Sequence, residues 1–337
     1  MTSPILKVEN LKVSFPVAPS LWKHNSGNLT AVDDVSFELL QGETLGLVGE
    51  SGCGKSTLAK AILHLLSFQN PGVRVEGKIL LKQNDSWISL LDLSGQDLRS
   101  CRSQMQIVFQ DPFSSLNPRM PVLDLVREPL DIHEKKLSSR EKHERVFTLL
   151  EKVGLSGELA SRYPHEFSGG QRQRVGIARA LASSPKILIA DEPVSSLDVS
   201  IQAQILNLLR DLQEEFHLSC LFIGHDLSVV RHVSDRIAVM VLGKIVELGP
   251  ADTVYNNPKH PYTRCLMASM PRLDGPRLDG KKPENTRYPQ GDPPSPMNKP
   301  SGCAFHTRCP IARQECSTKA PSLQNDGEEH SVACPYV

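Results

Sequence analysis

The stretch Gly49-Glu50-Ser51-Gly52-Cys53-Gly54-Lys55-Ser56-Thr57 fits G-x-x-x-x-G-K-[ST], and its reading decides the fold. The glycines let the backbone curl so that successive N–H groups point at phosphate oxygens. Lys55 is then placed to reach the β- and γ-phosphates of a nucleotide, and Ser56 to hold Mg²⁺. The apolar run Thr44-Leu45-Gly46-Leu47-Val48 precedes the loop, and a helical pattern through Leu58, Ala59, Ile62, Leu63 and Leu66 follows it. Strand, glycine loop and helix in that order aim the positive N-terminal end of the helix at the phosphates.

Working outward, Lys186-Ile187-Leu188-Ile189-Ala190 and Ser219-Cys220-Leu221-Phe222-Ile223 are further short apolar runs that end at polar residues. Such strands, separated by helices, indicate a mostly parallel sheet covered on both faces. Asp191 and Glu192 follow the first run. In a P-loop protein a carboxylate at a strand's C-terminal end positions Mg²⁺, here Asp191, and leaves Glu192 to polarise an attacking water. Ile5 to Phe15 and Val35 to Leu40 alternate apolar and polar residues, as in a half-exposed antiparallel sheet. Residues 111–178 have helical periodicity without a parallel strand and read as a helical insertion. The expected fold class is an α/β P-loop nucleotide-binding domain over residues 1–256, followed by an extension over 257–337.

The chain's 337 residues exceed one compact core of ordinary size. Lysine plus arginine equals aspartate plus glutamate at 38 each, a balance that gives no electrostatic footprint for nucleic acid. MTSPILKVEN has no basic stretch followed by an apolar run, so no signal peptide is expected. No segment approaches 18 uninterrupted apolar residues, so a membrane role must come through a partner.

From Pro258 the composition changes. Residues 271–300 hold eight prolines and a tandem PRLDG-PRLDG, which implies extended or loop-like chain. Cys303, Cys309, Cys316 and Cys334 follow with spacing C-x₅-C-x₆-C-x₁₇-C. Without export signals a disulfide scaffold is not expected, and thiolates in that setting suggest zinc or an iron–sulfur centre. The spacing does not match the tight C-x₂-C pairs of common zinc sites, although His306 or His330 could complete one. Unliganded buried cysteines are the plain alternative. Cys53, at a helix N-terminus beside Lys55, sits where a thiolate is favoured, but phosphoryl transfer to water needs no such nucleophile.

Phe167-Ser168-Gly169-Gly170-Gln171 resembles the LSGGQ signature of ABC-type ATPases, with Phe167 in the leucine position. Gln110 after Ile107-Val108-Phe109, Ser196-Leu197-Asp198 after Glu192, and His225 after a strand match that family in order and spacing. The resemblance implies a head-to-tail dimer with two ATPs, each between one subunit's P-loop and the other's SGGQ. Ser168, Gly169 and Gly170 would offer a hydroxyl and N–H groups at a helix N-terminus. His225 would contact the γ-phosphate and, with Glu192, hold the water. Gln110 would join Mg²⁺ and water to the insertion that meets a membrane partner, and Asp198 would cross the dimer interface. An aromatic of the first strand would stack on adenine. Phe15 is the candidate, with sheet core as its alternative role, and the stretch 16–30 after it is longer than the family usually has.

Asn257-Pro258-Lys259-His260-Pro261-Tyr262-Thr263 resembles the C-terminal extension of oligopeptide and dipeptide importer ATPases. Gly291-Asp292-Pro293-Pro294-Ser295-Pro296 and Cys303-Ala304-Phe305-His306-Thr307-Arg308-Cys309-Pro310 resemble the same extension. This implies an importer with a second, different ATPase, two membrane permeases and an extracytoplasmic binding protein, the chain lying at the cytoplasmic membrane face. Related systems carry glutathione or nickel. Members of that family can hold a [4Fe–4S] cluster in the extension, which assigns the four cysteines to it by resemblance.

Overall fold

The computed structural model describes residues 3–17, 28–84, 86–268, 292, 294–325, 327 and 329–337. The tandem PRLDG and most of the stretch after Phe15 lie outside the described residues. In chain order the strands are β1 (Pro4–Pro16), β2 (Asn28–Leu40), β3 (Thr44–Val48), β4 (Arg74–Gln83), β5 (Ser86–Ser89) and β6 (Met105–Val108). They continue with β7 (Ile187–Asp191), β8 (Ser219–Gly224), β9 (Arg236–Val241), β10 (Lys244–Pro250), β11 (Gln324–Asn325) and β12 (Ser331–Val332).

Two sheets result. One is antiparallel, in the order β2-β1-β4-β5, and the other runs β11-β12-β10-β9-β3-β8-β7-β6. In the second, β3 pairs in parallel with β8 and β9, and β7 pairs in parallel with β6 and β8. Every residue of β3, β7 and β8 is buried, as strands covered on both faces must be. Their side chains divide with period 2. Leu45, Leu47, Ile187, Ile189, Leu221 and Ile223 face a core shared with the antiparallel sheet and the helix Lys55–Ile62. Val48, Leu188, Ala190, Cys220 and Phe222 face the other core, shared with the helical insertion and the extension.

The antiparallel sheet is larger than its sequence pattern suggests. β4 and β5 carry Arg74, Glu76, Lys78 and Ser86 largely in solvent, and only Ile79 and Leu81 are fully buried on them, so alternation is weak there. The insertion holds helices Val122–His133, Ser139–Lys152 and Gly169–Leu181, and no strand lies between β6 and β7 among the described residues. Ser138 and Glu141 form a capping box that starts the second of these helices.

The extension packs against the large sheet and shares its core. After the helix Pro261–Ala268, β12 adds to β10 by pairing Val332 with Glu247 and Ser331 with Leu248. Tyr262, Phe305 and Ala333 are buried in the same core as Leu188 and Phe222. Glu247, fully buried on β10, anchors the join. It accepts from the Lys259 and His260 backbone N–H groups at 2.7 and 3.0 Å and pairs with His330 Nε2 at 2.8 Å. A buried carboxylate without such partners would cost several kcal/mol, roughly. Burial keeps His260 neutral, holding its pKa down to about 3, with Arg264 adding to the effect.

Candidate functional site

The P-loop runs from the end of β3 into the helix Lys55–Ile62. Gly54, at φ 112°, makes the turn into that helix, a conformation costly for a residue with a Cβ. Gly49 passes so close to the Met240 carbonyl that a Cβ would sit 2.2 Å from it. The loop is therefore pressed against β9 and held in one shape. Lys55 Nζ donates to the Gly49 and Glu50 carbonyls at 2.8 and 3.2 Å and lies 3.8 Å from Glu192.

The loop borders a cavity of about 300 Å³ lined by Phe15, Ala31, Ser51 through Thr57, Gln110, Glu192, Leu242, Pro296 and Lys299. Phe15 is half-buried, lines this cavity and also packs against the core. Ser56 Oγ donates to Asp191 Oδ1 at 2.9 Å, which brings together two of the three expected Mg²⁺ ligands, Gln110 being the third. Burial pushes the Asp191 carboxyl above its ordinary range, against the Ser56 hydrogen bond. A divalent cation there would favour the carboxylate again.

Glu192 follows directly on β7 with φ 47°, in the left-handed region that side chains rarely adopt. Its N–H bonds to the Ile223 carbonyl at 3.0 Å, so the adjoining strand holds the strained turn. Gln110 Nε2 donates to Glu192 Oε2 at 3.0 Å, and His225 Nδ1 lies 3.7 Å from the same oxygen. Three strand ends (β6, β7 and β8) thus deliver Gln110, Glu192 and His225 to one point.

Ser168, Gly169, Gly170 and Gln171 do not line this cavity. Ser168 caps the helix Gly169–Leu181, accepting from the Gln171 N–H, while Gln171 Oε1 accepts from the Ser168 N–H at 3.0 Å. Phe167 fills the leucine position as a buried core residue, leaving the exposed cap unaltered. A Cβ on Gly170 would meet Ile201 at 2.6 Å, so the signature packs tightly beside the helix that Asp198 starts. Asp198 is exposed, and its neighbour Val199 is 80% exposed.

Cys53 is a small loop residue with no nucleophilic part to play. Its thiol is buried, and burial pushes it up further than Lys55 pulls it down. It is a packing residue of the loop.

The four extension cysteines are free and line a second cavity of about 260 Å³, together with Phe305, His306, Glu315 and Tyr336. Burial pushes Cys303, Cys309 and Cys334 up, Cys309 to about 11, and charge on neighbouring cysteines adds to the rise. His330 is committed to Glu247 outside this cavity, while His306 lines it. Among the described residues no three His, Cys, Asp or Glu side chains are close enough to share one metal ion.

Four residues escaped the sequence reading. Glu50, Tyr262, Lys299 and Arg308 connect the P-loop or its cavity to the extension. Tyr262 and Arg308 lie inside the segments that carry the family resemblance, yet nothing local ties them to a loop more than 200 residues away.

A P-loop on a parallel sheet, a carboxylate pair at the end of β7 and a capped SGGQ helix define an ABC-type ATPase. The ABC transporter family model matches residues 32–195, and the oligopeptide/dipeptide transporter C-terminal region matches 246–316. The chain is 50% identical to the oligopeptide transport ATP-binding protein AppF of Bacillus subtilis, over 98% of this chain and 96% of AppF. It is also 50% identical to the oligopeptide transport ATP-binding protein OppF of Escherichia coli, over 99% and 96%. Among solved structures it is similar to the dimeric post-hydrolysis state of the ATP-binding cassette MJ0796 bound to ADP and Pi. The TM-score there is 0.60 at 28% identity, covering 73% of this chain and 98% of that one. The chain belongs to the oligopeptide/dipeptide transporter family of ABC ATPases.

Proposed function

We propose that the chain hydrolyses ATP to drive import of dipeptides or oligopeptides, as one of two different ATPase subunits beneath two membrane permeases. The convergence of Gln110, Glu192 and His225 beside Lys55 and the Ser56–Asp191 pair carries the reading. Lys55 and the loop N–H groups bind the β- and γ-phosphates. Glu192 accepts a proton from the attacking water, and the Gln110 hydrogen bond orients that carboxylate. Gln110 and His225 hold Glu192 and the water, and Phe15 takes the adenine. Mg²⁺, held by Ser56, Asp191 and Gln110, would offset phosphate charge as it develops. Gly49, Ser51, Gly52, Gly54 and Thr57 complete the phosphate cradle.

Ser168, Gly169, Gly170 and Gln171 serve the partner ATPase's nucleotide, which fits the exposure of Ser168 and the place of all four outside the lining of this chain's own cavity. Asp198 and Val199 lie where that partner would seat, and the dimeric MJ0796 cassette supports the arrangement. No helix among the described residues is long and apolar enough to cross a membrane, so attachment at the cytoplasmic face comes through the permeases. An extracytoplasmic binding protein would deliver the cargo, and the names of AppF and OppF, both oligopeptide transport ATP-binding proteins, support peptide as that cargo. Residues 1–256 and 257–337 are two parts of one body in this reading, with the helical subdomain at about 111–178.

Cys303, Cys309, Cys316 and Cys334 would hold a [4Fe–4S] cluster. Four thiolates sharing one cavity fit that group, which takes each through a different iron. A tetrahedral zinc, with Zn–S of about 2.3 Å, needs them about 3.8 Å apart.

The test is reconstitution with permeases, sister ATPase and binding protein in lipid vesicles. Added peptide is expected to stimulate ATP hydrolysis and to accumulate inside. Stimulation by nickel or glutathione, with none by peptide, would transfer the chain to those systems.

A further inference from the structure

The nucleotide loop carries an acid where an anion must bind. Glu50 is the second residue of the P-loop, and its carbonyl already accepts from Lys55 Nζ. A free carboxylate at that place would repel a triphosphate. It is not free. Arg308, from the extension, donates from Nη1 and Nη2 to Glu50 Oε2 and Oε1 at 2.9 and 2.7 Å. The Arg308 side chain is only 8% exposed, whereas Glu50 is 31% exposed. Tyr262 Oη, buried beneath, accepts from the Glu50 N–H at 2.9 Å. Phe305 stacks edge-on against Tyr262 at 5.3 Å and under the Arg308 guanidinium at 5.7 Å. Backbone and side chain of this one loop residue are thus both held by the extension.

We propose that Arg308 is a positioning residue for ATP, neutralising Glu50 and turning its carboxylate away from the phosphates, with Tyr262 fixing the loop backbone. This rests on the P-loop being an ATP site. A planar guanidinium suits the task because two parallel N–H···O bonds fix the direction of the carboxylate, which a point charge cannot do. The residue next to Arg308 is Cys309, so the contact with the P-loop sits one residue from the lining of the cysteine cavity.

Equilibrium binding of MgATP to the full-length chain tests this by calorimetry. Arg308→Ala is expected to weaken binding roughly tenfold, the effect of one uncompensated charge near the phosphates, and less at high salt. Arg308→Lys should fall between. The deciding variant adds Glu50→Gln to Arg308→Ala. With no acid left to neutralise, affinity should return to within about threefold of wild type. Should Arg308→Ala fail to fold, the neutral pair Arg308→Gln with Glu50→Gln, which can still hydrogen-bond, is expected to bind like wild type. Wild-type affinity for Arg308→Ala overturns the proposal, as does a double variant no better than Arg308→Ala. Lys55→Ala separates the two readings. If Lys55→Ala binds as the wild type does, the P-loop reading fails. If it loses ATP while Arg308→Ala does not, only the role of Arg308 fails.

Discussion

Two cavities of this chain, the nucleotide cavity and the cysteine cavity, are built by opposite means. The nucleotide cavity is made at the ends of β3, β6, β7 and β8, where a fully buried sheet sets each residue's direction. The cysteine cavity is made by irregular chain, with one short 3₁₀ turn at Gln314–Ser317 and the two-residue strands β11 and β12. A site on a sheet edge has its geometry before any ligand arrives. A site on irregular chain depends on what crosslinks it. Substitutions in the first should therefore change chemistry and leave the structure alone, and substitutions in the second should do the reverse.

The largest effect expected is on chemistry. Glu192→Gln should keep MgATP binding but lower hydrolysis by about 10²–10⁴-fold, because the amide cannot accept the water's proton. Single-turnover hydrolysis alongside a binding titration measures both. A parallel loss of thermal stability would break the contrast, since it would make Glu192 a structural residue.

The second expected effect is on structure. Cys334→Ser should remove the brown colour and iron of anaerobically purified protein and speed proteolysis within 294–337. The local loss is roughly 2 kcal/mol or more, since bound metal is folding free energy for such a segment. ATP binding should change less, and only as far as Arg308 is displaced. One zinc per chain with no iron would move the four cysteines to the other class of site.

Legibility in the sequence follows the same division. Lys55, Ser56, Asp191 and Glu192 stand out in the sequence because phosphoryl transfer uses those residue types after short apolar runs, whereas His225 stands out only through the ABC resemblance. β4 was not readable, because a strand with Arg74, Glu76 and Lys78 in solvent carries too little alternation. The Arg308–Glu50 pair spans 258 residues, and the burial of Glu247 beneath His330 spans 83. Such contacts depend on how the extension returns to the sheet, and no local pattern encodes that. Composition alone made the extension a separate piece. Burial made it part of the core.

The smallest expected effect is a pH dependence confined to the join between core and extension. His260 stays neutral in the folded chain down to about 3, while the unfolded chain takes up a proton near 6.5. Its contribution is therefore intact above 6.5 and is lost as pH falls through the window from 6.5 towards 3. The loss is about 1 kcal/mol by pH 5.5. Thermal unfolding between pH 5.5 and 7.5 measures it, and His260→Gln should flatten the slope. An unchanged slope would show that the acid sensitivity lies elsewhere.

Pairing of β12 on β10 has a consequence for solubility. Without the extension, β10 would be the open rim of a large twisted sheet, with unpaired backbone groups and the apolar run Ile245-Val246 beside them. Such a rim is a template for adding a strand from another molecule. By laying Ser331 and Val332 along Glu247 and Leu248, the extension covers part of that rim and leaves only the two-residue β11 at the edge. A chain ending at residue 256 would keep the whole nucleotide motif set and yet be prone to aggregate, so the extension also serves as a guard against self-association.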